Sequence, residues 1–302
     1  MRIGVDLGGT KIEALALGSD GREASRIRVP TPRGYEASLD AISGLVHDVE
    51  RATGERGSVG VGIPGAIVPA TGLVKNANSV WLNGQPLGRD LETRLSRPVR
   101  LTNDANCFAL SEATDGAAEG ADVVFGVILG TGVGGGIVVG GRVIDGVNLV
   151  AGEWGHNPLP WMQGDEFPGP DCYCGKRGCI EAFLSGPAFE REFCERTGRR
   201  IASPEILAAA ADGQTEAGAA VERYHDRLAR AFASVINLLD PDVIVLGGGM
   251  SNMKGLAEAT RELLPRYVFS DSVLTRVVRN RHGDSSGVRG AAWLWPTDSA
   301  DG

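Results

Sequence analysis

One histidine and three cysteines carry the sharpest local signal in the chain. His156 is followed by Cys172-Tyr173-Cys174-Gly175-Lys176-Arg177-Gly178-Cys179. Three thiolates and an imidazole make a tetrahedral Cys3His set for Zn2+, and four protein ligands leave no position open for a substrate, so the ion would be structural. Gly175 and Gly178 permit the tight turn that brings Cys179 back beside Cys174. A C-x-x-C redox pair is missing. Cys107 and Cys194 lack neighbouring ligands and read as buried thiols. Glu153 lies three residues before His156, and Glu181 two after Cys179. An ion pinning both ends would place both carboxylates around one pocket, where acidic side chains with Asn suit sugar hydroxyls. Taken singly, each carboxylate reads as solvated surface and His156 as a satisfied core histidine.

Glycine-rich turns suggest a second kind of chemistry. Asp6-Leu7-Gly8-Gly9-Thr10-Lys11 lets backbone N–H groups approach phosphate oxygens, with a hydroxyl from Thr10 and a charge from Lys11. Asp6 could hold Mg2+ through water. A tight hairpin with no ligand is the plain alternative, and the loop is not a Walker A sequence. Gly130-Thr131-Gly132-Val133-Gly134-Gly135-Gly136 exceeds what a hairpin needs and reads as a second phosphate clamp. Gly247-Gly248-Gly249 after a buried strand fits a base or ribose, or a plain helix-entry turn. Asn103-Asp104 closes another strand, where Asp104 could deprotonate a hydroxyl or simply cap the next helix.

These groups need a frame. Residues 3–7 and 12–17 are apolar runs joined by a glycine turn, and a third strand is expected after Ser19-Asp20-Gly21. Glu36–Thr53 carries apolar residues at helical spacing, and 216–239 is a long amphipathic helix. Strands are expected at Val59–Ile63, Val99–Leu101 and Asp242–Leu246, with a helix over 105–114. Gly4–Gly8 matches Gly126–Gly130 at four of five positions, which reads either as two similar hairpins or as a duplicated domain. Residues 160–178 have the least regular composition, and the apolar tail 290–295 is expected to return as a helix onto the first domain.

The chain has 302 residues and a formal net charge of −8, from 30 Lys+Arg and 38 Asp+Glu. The length suggests two domains. The acidic balance argues against broad binding to nucleic acid or to anionic membrane. No run approaches the roughly 18 apolar residues of a membrane helix, and no leader is expected before Ile3-Gly4-Val5, so the cytoplasm is the expected compartment. Glycine occurs 44 times, about twice the usual share, with no collagen or linker pattern.

Together, D-L-G-G-T-K (6–11), G-I-P-G (62–65), N-D-A-N (103–106), G-T-G-V-G-G-G (130–136), G-E-W-G-H (152–156) and C-Y-C-G-K-R-G-C-I-E (172–181) resemble the ROK family of sugar kinases. The resemblance implies an α/β actin-like ATPase (ribonuclease H-like) fold, with two domains around a cleft. These would be residues 1–117 plus about 288–302, and 118–287. It implies ATP-dependent phosphorylation of a hexose at O6 with Mg2+ and structural Zn2+, in a homodimer. Asp104 would be the general base. Gly65, Asn78, Asn103, Glu153, His156 and Glu181 would contact the sugar, His156 serving zinc as well. Gly8, Gly9, Thr10, Lys11 and the 130–136 loop would hold phosphates, and Gly247, Gly248 and Gly249 the adenosine. Residues 75–86 and 152–161 and the C-terminal block look most like the fructokinases, which implies fructose, with mannose as a second sugar. The alternatives are an N-acetylglucosamine kinase or a glucokinase. A sugar-responsive repressor is disfavoured, because the first phosphate loop begins within ten residues of Met1. Asn78-Ser79-Val80 departs from the family's usual N-[LV]-P and bears on sugar preference.

Overall fold

Ile3, Val5 and Leu7 are buried and alternate with Gly4 and Asp6, so strand β1 (Arg2–Leu7) turns its large apolar side chains to one face. In the computed structural model, which describes residues 1–296, β1 pairs antiparallel with β2 (Lys11–Leu17), and β2 with β3 (Glu23–Pro30). Helix α1 (Tyr35–Thr53) buries Leu39, Ile42, Leu45, Val46 and Val49 at helical spacing against this sheet. The chain returns as β4 (Ser58–Ile63), parallel to β1. A small ribbon, β5 (Ala66–Ile67) with β6 (Val74–Lys75), precedes α2 (Leu87–Leu95) and β7 (Val99–Asn103), parallel to β4. Helix α3 (Asp104–Thr114) follows directly. The sheet order is β3-β2-β1-β4-β7, so the C-terminal ends of β1, β4 and β7 lie side by side. Loops that bind ligands collect at that end of a parallel sheet.

The pattern then repeats. Strands β8 (Val123–Leu129) and β9 (Val133–Val139) flank the second glycine turn, and β10 (Arg142–Val143) pairs with β9. Helices α4 (Glu181–Leu184), α5 (Gly186–Thr197), α6 (Ser203–Ala211) and α7 (Thr215–Leu239) lead to β11 (Val243–Gly247), parallel to β8. After α8 (Leu256–Leu263) comes β12 (Arg276–Arg279), parallel to β11, and then α9 (Ser286–Trp293). This sheet runs β10-β9-β8-β11-β12, the order of the first with each strand replaced by its counterpart. The five-residue echo between the hairpins is therefore the trace of a repeated topology.

The chain forms two compact units. Of the described residues, one holds 1–120, 136–151 and 281–296; the other holds 121–135 and 152–280. The expected boundaries differ at 118–120, 136–151 and 281–287, and side-chain anchoring explains the two larger shifts. Asp145 accepts hydrogen bonds from Thr102 Oγ1 at 3.1 Å and Asn106 Nδ2 at 2.9 Å. Buried Glu112 accepts from the backbone N–H groups of Arg281 and His282 and from Ser286 Oγ. The C-terminal helix packs on β1, β4 and α3 in this first unit. Its backbone lies directly on the sheet and on α3: a Cβ on Gly290 would fall 1.7 Å from Cys107 O, and one on Gly4 2.0 Å from Val288 O. Among the described residues, no helix is long and apolar enough to cross a membrane.

Candidate active site

In the first unit, the strand-to-helix corner after β7 is built from three groups. Asn103 caps α3, its Oδ1 accepting from Ala105 N at 2.8 Å. Its Nδ2 donates to Gly65 O at 3.0 Å. Gly65 has φ +78, and a side chain there would lie 2.2 Å from Lys75 O, so only glycine lets the loop carry that acceptor. Asp104 opens the helix and is exposed, its Oδ1 also taking the Ala105 N–H at 2.8 Å. The cap is thus Asn103, and Asp104 is presented to solvent on a rigid support. Asn78 is exposed in a loop that Asn83, unnoticed in the sequence, fixes by two bonds to Ala77.

The first glycine turn sits at the end of β1. Gly8 N donates to Lys11 O at 3.1 Å, and Thr31 Oγ1 donates to Gly8 O at 2.6 Å. A side chain on Gly9 would meet no atom within 4 Å, so that residue faces open space. Lys11 Nζ lies 3.7 Å from Oε2 of buried Glu13, which also binds Arg26 and Arg28. Asp6 has its carboxyl pushed up to about 7, first by loss of water and then by the negative charges of Asp104 and Glu13. Such a group gains from a cation placed beside it.

The second unit gathers the metal set. His156, Cys172, Cys174 and Cys179 have their ligand atoms within 4.8 Å of one another. Cys172 Sγ lies 3.7 Å from His156 Nδ1, and Cys174 Sγ 3.6 Å from Cys179 Sγ, too far for a disulfide. A tetrahedral zinc at about 2.3 Å from sulfur and 2.0 Å from nitrogen spaces its ligands roughly 3.5–3.8 Å apart, so the residues present fit the ion. Backbone pairing explains how they meet. Leu159 N donates to Gly178 O at 2.8 Å, and Ile180 N to Asn157 O at 2.9 Å, which clips His156 beside Cys179.

Glu181 and Glu153 have different fates. Glu153 is exposed, whereas Glu181 is buried and accepts from Val133 N at 2.8 Å. The Val133 N–H expected for phosphate is therefore committed to Glu181. Gly134, Gly135 and Gly136 lie within β9, leaving Gly130, Thr131 and Gly132 as the turn. Gly130 O accepts from Gly186 N at 2.8 Å. Gly247 pairs with Ile128 in the sheet, Gly248 (φ +80) lies against Leu129 O, and Gly249 opens a short 3-10 turn with space beside it.

Sequence reading passed over a buried ion cluster. Arg230 Nη2 and Arg227 Nε bind Glu166 Oε1 at 2.8 and 2.7 Å, and Arg227 also binds Glu192. Arg230 further donates to Pro160 O and Trp161 O. Burial alone would raise the Glu166 carboxyl, but Arg230 and Arg227 hold it down at about 2. The cluster fastens the irregular 160–170 segment to α7. Its signal was present: Arg227 and Arg230 interrupt the apolar stripe of that helix.

Comparison with known proteins agrees with this architecture. The ROK family pattern matches residues 2–298. An N-acetyl-D-glucosamine kinase of Escherichia coli O6:H1 is 45% identical over 304 residues, covering 99% of this chain and 100% of that protein. The crystal structure of a ROK hexokinase from Thermus thermophilus superposes with a TM-score of 0.86 at 35% identity, covering 96% of each chain. A ROK family glucokinase from Streptomyces griseus, solved with glucose and AMPPNP, gives a TM-score of 0.78 at 30% identity, covering 97% of this chain and 98% of that one. The fructokinase expectation finds no support in these relatives. The 45% relative favours the alternative, N-acetylglucosamine.

Proposed function

The chain is a sugar kinase of the ROK family, and from that premise we propose that it is an ATP-dependent N-acetyl-D-glucosamine kinase acting at O6. The end-to-end relationship to a kinase of that sugar carries the reading. Asp104 takes the proton of the O6 hydroxyl. O6 then bonds to the γ phosphorus while the bond to the β–γ bridging oxygen breaks, releasing ADP. Asn103 holds the sugar beside Asp104, its own amide fixed on Gly65. Glu153, His156 and Glu181 take the remaining sugar hydroxyls. Backbone N–H groups of the turns at Gly8–Lys11 and Gly130–Gly132 receive phosphate oxygens, and open space beside Gly249 suits the adenosine.

When bound, Mg2+ neutralises phosphate charge, and the raised Asp6 carboxyl would hold it directly or through water. Zinc on His156, Cys172, Cys174 and Cys179 supplies no acid chemistry but fixes the residues on either side. The test is ADP release with ATP and Mg2+ across N-acetylglucosamine, glucose, mannose and fructose. The expected result is the highest kcat/KM on N-acetylglucosamine; a higher value on fructose would return the substrate to the other reading.

A further inference from the structure

We propose that Tyr173 competes with the sugar for its own site: its hydroxyl occupies the hydrogen-bonding position on His156 that a sugar hydroxyl takes, and leaves it when the sugar binds. The inference rests on the reading of His156 as a sugar ligand. The two nitrogens of this imidazole face different partners. Nδ1 lies 3.7 Å from Cys172 Sγ, on the metal side. Nε2 lies 3.0 Å from the Tyr173 hydroxyl, with the rings edge-to-face, 5.2 Å between centroids.

A neutral imidazole that gives Nδ1 to a metal carries its proton on Nε2 and has one N–H to donate. One donor serves one good acceptor. The phenol and a sugar hydroxyl therefore compete for the same proton. Tyr173 also has open space into which its side chain could swing. Its backbone is held by a turn in which Cys172 N donates to Lys176 O and Gly175 N to Cys172 O, yet the residue is 83% exposed. The contact with His156 anchors a side chain that otherwise meets water. The Tyr173 hydroxyl on His156 Nε2 stands where a sugar hydroxyl bound to that nitrogen would stand.

The experiment compares the zinc-loaded wild type with Tyr173→Phe, which keeps the ring and removes the competing oxygen. Calorimetric Kd and steady-state KM for N-acetylglucosamine should fall roughly threefold to tenfold, the weight of one ordinary hydrogen bond. KM for ATP should stay within about twofold, which separates the effect from a general change in fold. In the sugar-free protein, the His156 Nε2–H resonance should exchange with water at least about tenfold faster in the variant, and sugar should slow it again. Unchanged or weaker sugar affinity in Tyr173→Phe, or equal exchange rates, overturns the proposal. A wild type that prefers another hexose overturns only the substrate reading, and the affinity comparison is then made with that hexose. A wild type that binds no hexose overturns both.

Discussion

The two glycine hairpins look alike in sequence and share a place in their sheets, yet they are held by different means. The β1–β2 turn is braced by a neutral hydroxyl, Thr31 Oγ1 on Gly8 O. The β8–β9 turn is braced by the Glu181 carboxylate on Val133 N and by Gly186 N on Gly130 O. Glu181 follows Cys179 by two residues, so the second turn is tied to the loop that carries the Cys3His set, while the first is held by its strands and the Thr31 hydroxyl. One turn thus rests on regular structure and the other on a loop that carries a candidate metal set, and they should fail differently.

The largest effect is expected where regular structure carries the chemistry. Asp104→Asn should lower kcat about 10²- to 10⁴-fold, with sugar Kd within about threefold and an unaltered melting temperature. A melting shift of many degrees would show that the corner is not the independent support it looks like. In the second unit the order should reverse. Removing zinc, or Cys179→Ser, should lower the melting temperature by about 5–10 °C and loosen both the sugar contacts and the β8–β9 turn. Glu166, Arg227 and Arg230 still fasten the 160–170 segment, so the unit should loosen without unfolding. A metal-free protein with full activity and unchanged melting would remove the distinction between the two hairpins.

The smallest effect concerns Asp6. Its carboxyl titrates at about 7 in the fold and near 3.8 in an unstructured chain. A folded value above the unfolded one means that the native state holds the extra proton, so Asp6 favours folding below about pH 4 and loses that contribution as pH rises to 7. Asp6→Asn should therefore gain on wild type between pH 4 and 6 by on the order of 2 kcal/mol in denaturant melts without Mg2+. Combining it with Asp104→Asn should shrink the gain, since Asp104 is one source of the shift. A pH-independent difference would place the Asp6 carboxyl in the ordinary range.

Much of this was legible locally. The hairpins, α1 and α7 follow from apolar spacing that sets which face is buried. The four metal ligands follow from residue type and from glycines that allow the knuckle turn. The glycine run at 130–136 was read too broadly, because a turn and a close-packed strand both favour glycine. A single string does not say whether the approaching atoms belong to a ligand or to the chain's own backbone. Gly4 and Gly290 illustrate the second case, since they serve helix packing.

By itself, the sequence determined the strand and helix periods, the repeated hairpin, the Cys3His set and the family, because each is a pattern of residue types and spacings that can be read without knowing which groups meet. Tertiary structure alone decided which polar group meets which. It placed Asn103 on Gly65, committed the Val133 N–H to Glu181, buried Arg230 on Glu166, and set Tyr173 on the outer nitrogen of His156. Most of these pairings join residues far apart in the chain, and even Tyr173 reaches His156 only through the folded turn. A hydrogen bond depends on tenths of an ångström, whereas a pattern of residue types fixes only the period and the face.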